Sequence, residues 1–146
     1  MKEIAKNKKA YFDYEILEEY ESGIILTGAE IKSIRGGNVN LKGSYVGETE
    51  GKLAVKNMHI SVYAAIQTPQ EPTRERFLLL HKKEIDKIQG KLKERGLAVI
   101  PLRLYLKKGY AKLSIGICRG KKNHDKRQTL KRKDQDMEVK RALKKY

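Results

Sequence analysis

The residues of this chain whose types could do chemistry are few and poorly placed for catalysis. Glu21 and Glu30 could act as general bases, but no nucleophile is paired with either. An isolated acid of this kind is usually structural or solvated. His59, His81 and His124 are far apart and lack metal-ligand spacing, so no metal site is expected. The single cysteine, Cys118, excludes an internal disulfide and any cysteine-based zinc site, and its place at the end of an apolar alternation predicts a buried thiol. Gly116-Ile117-Cys118-Arg119-Gly120-Lys121-Lys122 has a superficial likeness to a phosphate loop. It has three residues between the glycines where that motif needs four, and no Ser or Thr after the lysine. The expectation is a protein that is not an enzyme and needs no cofactor.

The chemistry that does stand out is polyanion binding. Arg119 to Arg127 reads Arg-Gly-Lys-Lys-Asn-His-Asp-Lys-Arg and opens a strongly basic tail. Residues 119–146 carry twelve Lys or Arg against four Asp or Glu, a net +8 of the chain's +15. With a pI near 9.8, this charge points to nucleic acid or an anionic surface. Basic residues also alternate with aromatics: Lys8, Lys9 and Tyr11; Arg35 and Lys42 with Tyr45; Lys108, Tyr110 and Lys112. Lys and Arg contact phosphates while Tyr rings stack on unpaired bases. His124, amid lysines and arginines, could stack on a base, and Glu21 could accept from a base amino group or orient an arginine. No helix-turn-helix, zinc finger or basic zipper is visible, so structured RNA is favoured over DNA. No apolar run approaches the length of a membrane span, and the first residues lack the apolar core of a secretory signal. A soluble, reducing, cytoplasmic setting without a membrane partner is expected.

These groups need a scaffold, and at 146 residues the chain has room for one domain plus ends. The boundary expected is a body at 1–118 and a tail at 119–146. Residues 1–9 read as a loose basic lead. Tyr14 and Ile16 alternate with charges as in a half-buried strand. Glu21-Ser22-Gly23 reads as a turn and Ile24-Ile25-Leu26 as a second short strand. Ala29 to Arg35 reads as a short helix that begins after Thr27 or Gly28 and is stopped by Gly36-Gly37. Ser44-Tyr45-Val46 and Leu53-Ala54-Val55 flank Thr49-Glu50-Gly51 as a hairpin. Residues 59–76 lack periodicity and read as a long, partly mobile loop of functional interest. Ile85, Ile88 and Leu92 mark the clearest helix, with Gly96 as its stop and His81 a candidate for its start. Leu97 to Leu106 and Ala111 to Cys118 pair as strands, with Pro101 at an edge or bulge. The fold class expected is mainly β with helices: a small antiparallel OB-like barrel flanked by helices, or else an open α+β sandwich. In the tail, Leu130, Met137 and Leu143 make a thin apolar stripe, too weak to hold a helix alone, so disorder without a partner is expected.

Several long stretches together carry a family resemblance. These are Glu21 to Arg35, Gly43-Ser44-Tyr45-Val46, Arg74-Glu75-Arg76-Phe77-Leu78-Leu79-Leu80-His81, and Gly116 to Arg127 with its Gly-Lys-Lys-Asn-His-Asp-Lys-Arg ending. They resemble the small protein B family, the bacterial SsrA-binding or tmRNA-binding proteins, from about Asn7 to the C-terminus. The resemblance implies an OB-like barrel that binds the tRNA-like domain of tmRNA. It implies delivery of alanyl-tmRNA, with the elongation factor EF-Tu, to stalled ribosomes. The partners are then tmRNA, EF-Tu and the ribosome, chiefly the small subunit and its RNA. By matching motif, Glu21, Leu79 and His81 resemble residues the family uses for tmRNA binding, with His81 standing where many members have Asn. Lys8, Lys9, Arg35, Tyr45 and Lys112 join them as candidate RNA contacts on charge and aromatic character. Lys121, Lys122, His124, Asp125, Lys126 and Arg127 match the segment that acts in the decoding centre. Ala142, Leu143 and Lys144 fall where the tail is needed for tagging. Phe77 departs from the basic residue usual between Arg76 and Leu78. The rival readings are an RNA-processing enzyme and a generic basic ribosomal or chaperone-like protein.

Overall fold

The computed structural model describes residues 1–61 and 71–121. Its elements in order are β1 (Lys2–Lys6), α1 (Lys8–Asp13), β2 (Tyr14–Ile24), α2 (Gly28–Arg35), β3 (Val39–Asn40), β4 (Tyr45–Thr49), β5 (Lys52–Lys56), β6 (His59–Ile60), β7 (Arg76–Leu79), α3 (Lys82–Leu92), β8 (Leu97–Lys107) and β9 (Tyr110–Gly120). Seven strands form one sheet in the order β1-β8-β9-β2-β7-β5-β4, while β3 pairs with β6 apart from it. Every ladder is antiparallel. The sheet curls until β4 lies against β8, without a ladder between them. The result is the expected mainly β body with helices, as a barrel left unclosed by hydrogen bonds. Its core is filled by Leu41, Val46, Leu53, Val55, Met58, Ile60, Leu104, Leu113, Ile115 and Ile117, with Ile34 from α2 and Ile88 from α3.

The sequence expectations hold where local chemistry decides. Thr27 caps α2 as half of a capping box: its Oγ1 accepts from the Glu30 N–H at 3.2 Å, and the Glu30 carboxylate accepts from the Thr27 N–H at 3.0 Å. Glu50 and Gly51 take φ of 54° and 77°, the left-handed pair that closes the β4–β5 hairpin. Pro101 sits at a bulge where the β8–β9 register slips before Arg103, so its missing N–H costs no ladder bond. Cys118 is fully buried, and burial pushes its thiol up to about 11.

Three expectations are corrected. Residues 1–9 are not a loose lead, because β1 pairs with β8 along Lys2–Lys6. Asn7, buried, then caps α1. Its Oδ1 accepts from the Ala10 N–H at 3.1 Å, and its Nδ2 donates to the carbonyls of Pro101 at 2.9 Å and Leu41 at 3.3 Å. Tyr11 and Phe12 are therefore helical, and Ala10 seats α1 on a second small core of Ile100, Leu102 and Cys118. Nor do Glu21-Ser22-Gly23 turn the chain: β2 runs unbroken from Tyr14 to Ile24, and the buried Ser22 hydroxyl donates to the Leu113 carbonyl at 2.9 Å. One residue, Leu17, is left out of its ladder with β9 as a bulge. The segment expected to be one long loop contains β6 and begins β7, and residues 62–70 lie outside the described part.

The most constrained contact is a buried cluster of charge. Glu30 on α2 is 1% exposed and accepts from Arg74 Nε at 2.8 Å, Arg74 Nη2 at 2.6 Å and Arg76 Nε at 2.8 Å. Arg76, fully buried, also donates to the carbonyls of Met58 at 2.5 Å and Pro72 at 2.9 Å. Burial alone would raise the Glu30 pKa. The bonds from Arg74, from the Thr27 N–H and from Arg76 outweigh burial and hold it below the usual 4.5. Breaking one side of such a pair strands the other charge in the interior. Arg76→Met is expected to lower unfolding free energy by about 3–5 kcal/mol, read from urea melts monitored by circular dichroism. A carboxylate whose pKa is lower folded than unfolded stabilises above its unfolded pKa, and that contribution is lost as pH falls through the folded value. The urea midpoint of the native protein should therefore decline steadily as pH drops below 4.5. Part of that decline should be missing in Glu30→Gln.

Candidate nucleic-acid interface

The outward face of β8, β9, β2 and β7 brings several of the expected residues into one row. Across the strands, Tyr105 is opposite Lys112, Lys112 is opposite Gly23, and Gly23 is opposite Leu79. Next to this row, Arg103, Ser114 and Glu21 are aligned in the same way. Leu79 is 58% exposed, unusual for a leucine in a strand, and it borders a position with no side chain. A Cβ added at Gly23 would come within 3.2 Å of Leu79 Cβ, so glycine there keeps a flat opening between Leu79 and Lys112. His81 follows Leu79 by two residues and caps α3, its N–H donating to Glu84 Oε1 at 3.1 Å. It too is exposed, at the rim of this face.

Glu21 is held in place. The Tyr105 hydroxyl donates a short hydrogen bond to Oε2, and Lys107 Nζ lies 3.5 Å from the same oxygen. The bond from Tyr105, reinforced by Lys107 and Lys112, lowers the Glu21 pKa despite some desolvation. Burial, then the bond to Glu21, pushes the Tyr105 phenol up to about 12. Both groups therefore keep their forms, carboxylate and phenol, through the neutral range. Glu19 on the same face, and the exposed Glu15 at the start of β2 on the other, are paired as well. Glu15 lies 3.4 Å from Arg119 Nη2; Glu19 lies 3.7 Å from Arg103 Nη2 and accepts from the Ser114 hydroxyl at 3.1 Å. At one end of the face the β8–β9 turn, with Lys108 and Gly109 at φ of 51° and 82°, presents Lys107, Lys108 and a 72%-exposed Tyr110. The face is thus basic at its tip, apolar at Leu79, and carries one fixed acceptor between.

A second group gathers at α1. Lys8 is exposed, and Lys9 pairs with Asp13 at 3.2 Å. Lys9 and Tyr45, with Ala10, Tyr14 and Ala98, line an open groove of about 430 Å³ between α1, β4 and the start of β8. Lys121 ends the described chain there: its N–H donates to the Asp13 carbonyl at 3.1 Å, and its Nζ sits 5.9 Å from the centre of the Phe12 ring. Arg35 stands exposed in the last turn of α2 and belongs to neither group. Lys122, His124, Asp125, Lys126, Arg127, Ala142, Leu143 and Lys144 lie outside the described residues.

Sequence reasoning missed Tyr105, Lys107 and Gly23. The signal for the first two is the alternation of Arg103, Tyr105 and Lys107 with Leu104 and Leu106, which puts three polar side chains on one face of a strand. Gly23 looked like turn chemistry, and only its two partner strands show its use. Phe77, noted as a departure, packs beside β5 with Lys52 Nζ 5.5 Å from its ring centre. Among the described residues no group of three or more His, Cys, Asp or Glu could hold a metal ion. Nor is any helix there long and apolar enough to cross a membrane.

A family model described as SmpB protein matches residues 4–145. The SsrA-binding protein of Bacillus cereus (strain B4264) is 52% identical over 143 residues, covering 97% of this chain and 92% of that protein. The SsrA-binding protein of Latilactobacillus sakei subsp. sakei (strain 23K) is 51% identical with the same coverage. A solved structure described as "tmRNA-SmpB: a journey to the center of the bacterial ribosome" has a chain that superposes with a TM-score of 0.69 at 42% identity, covering 97% of this chain and 98% of that one. Identity above half, sustained over nearly the whole length and matched by the backbone, makes this chain a member of the SmpB family.

Proposed function

We propose that this protein is the RNA-binding adaptor of trans-translation in its cell. It binds the tRNA-like domain of tmRNA and delivers alanyl-tmRNA, with EF-Tu, to ribosomes stalled without a usable stop codon. It acts in the cytoplasm and catalyses no reaction itself. The observation that carries this reading is the single face that gathers Glu21, Leu79 and Lys112, with His81 at its rim. Near-full-length similarity to proteins named SsrA-binding supports it, as does the likeness to a chain from a tmRNA-SmpB structure. Phosphates are met by Lys107, Lys108 and Lys112, while unpaired bases meet Leu79 and the fixed carboxylate. Lys8, Lys9, Tyr45 and Lys121 form a second basic and aromatic group at α1, suited to RNA of the ribosome. The tail acts after tmRNA binding, through His124, Asp125, Lys126 and Arg127 at the decoding centre and Ala142, Leu143 and Lys144 further along the mRNA channel.

The body and the tail are then separable. Because β9 runs through Gly120 and Lys121 is tied to Asp13, the informative truncation ends at Lys121. That truncated protein is expected to keep most of its affinity for tmRNA over a total-tRNA competitor and to lose tagging of stalled chains in a reconstituted translation reaction. Loss of most affinity would sink the two-part mechanism. Phosphate contacts carry a salt signature as well. Lys107→Ala and Lys112→Ala should each shallow the slope of log affinity against log salt by about 0.7–0.9. Fluorescence anisotropy with labelled tRNA-like domain across a salt series measures this.

A further inference from the structure

The acids of β2 are unexpected on a face that grips a polyanion. Glu19 and Glu21 both point outward there, opposite Gly116 and Ser114, in a chain of net +15. Glu21 is the one that lies beside Gly23 and Leu79, and it is firmly held. Its partner Tyr105 is 5% exposed and cannot swing away as a surface lysine can. Both of its contacts go to Oε2, and no hydrogen bond or ion pair is made to Oε1 among the described residues. A fixed carboxylate repels phosphate, so what it can take from RNA is a donor. The ground beside it suits a base rather than a backbone: Gly23 offers bare main chain, and Leu79 offers exposed apolar surface one strand away.

We propose that Tyr105 is a positioning residue for RNA recognition: by holding Glu21 Oε2 it presents Oε1 to the exocyclic amino group of an unpaired base lying over Gly23 and Leu79. This rests on the RNA-binding reading above and adds to it a ligand group and a residue. Lys107 and Lys112 then neutralise the phosphates on either side of that base. The amino group donates to the carboxylate as side-chain carboxylates accept from cytosine N4 in other recognition surfaces. Glu19, held by the half-buried Arg103 and the buried Ser114 hydroxyl, lies a row further from Gly23 and Leu79, and Glu15 lies on the other side of β2 beyond the Leu17 bulge, so neither has such a part.

The test uses the full chain and the tRNA-like domain of tmRNA as probe, with total tRNA as competitor. Unpaired guanosines, adenosines and cytidines of the probe are replaced singly by inosine, purine riboside and 2-pyrimidinone riboside, which lack the amino group. One replacement should weaken the native protein about tenfold, the size expected for a hydrogen bond to a charged group. The same replacement should cost Glu21→Ala nothing further and cost Tyr105→Phe only about two- or threefold, since its acceptor remains but is no longer fixed. Glu21→Ala/Tyr105→Phe should bind no worse than Glu21→Ala. A carbon-detected NMR titration should show the Glu21 midpoint rising in Tyr105→Phe, which checks that the phenol holds the carboxylate, while the smaller penalty for the amino-group replacement in that variant is what a purely structural tyrosine would not produce. If Tyr105→Phe also melts early, its binding is measured well below its melting temperature, where it is folded, and the same comparison decides. The proposal is overturned if every replacement affects native and Glu21→Ala proteins equally, or if the losses in the double variant multiply. Failure of the native protein to prefer the probe over tRNA would instead overturn the RNA-binding reading beneath it.

Discussion

The place of β7 in the candidate face depends on a charge buried away from water. Glu30 is surrounded by Arg74, Arg76 and the Thr27 N–H, and Arg76 in turn fills two backbone carbonyls. The interior desolvates both ions, and only near-complete hydrogen bonding makes that tolerable. The cluster therefore forms as a unit. It ties the first turn of α2 to β7 and to the chain around Met58 and Pro72. From β7 the constraint passes outward, since Leu79 takes its place opposite Gly23 from that strand, and His81 begins α3 just beyond it. Two arginines that in sequence fell at the end of an expected loop are in fact the anchor behind the face.

The exposed charges follow a different logic. Glu15, Glu18, Glu19 and Glu21 of β2 each meet a cation from a neighbouring element: Arg119, Lys87, Arg103 and Lys107. Pairs this open to solvent contribute little to stability. Their effect is on direction. In a strongly basic protein, long cationic side chains would otherwise spread apart, and a central acidic strand gives each one a place to point. The two kinds of ion pair thus divide the labour, one buried and structural, the other open and concerned with orientation.

The sequence made visible what local chemistry decides. Thr27 and Glu30 announce α2, Glu50-Gly51 and Lys108-Gly109 announce hairpins, and Ile85, Ile88 and Leu92 announce α3. What it hid is what long-range partners decide. Lys2 to Lys6 reads as a solvated lead because its ladder partner lies about a hundred residues away in β8. Tyr11 and Phe12 favour a strand by type and are made helical by Asn7, whose side chain is fixed by Leu41 and Pro101. Glu30 could be seen as an acid without a nucleophile, but neither of its arginine partners could be read from spacing. Of the candidate site, Glu21, Leu79 and His81 were suggested by resemblance; Tyr105 and Gly23 emerge only when β8, β9, β2 and β7 are laid side by side.

The bulge at Leu17 bears on how the chain reaches this structure. Ile16 pairs with Cys118 and Glu19 with Gly116, so residues of opposite parity share one face because Leu17 is skipped between them. Were β2 to pair with β9 in straight register from Ile16 onward, Glu19 and Glu21 would fall opposite Ile115 and Leu113 and turn into the core. Each carboxylate so trapped without partners would cost several kcal/mol. A one-residue slip turns every side chain of a strand to the other face of the sheet. Here the slip is penalised by the very acids that line the finished surface, which sets the native register apart from its neighbour.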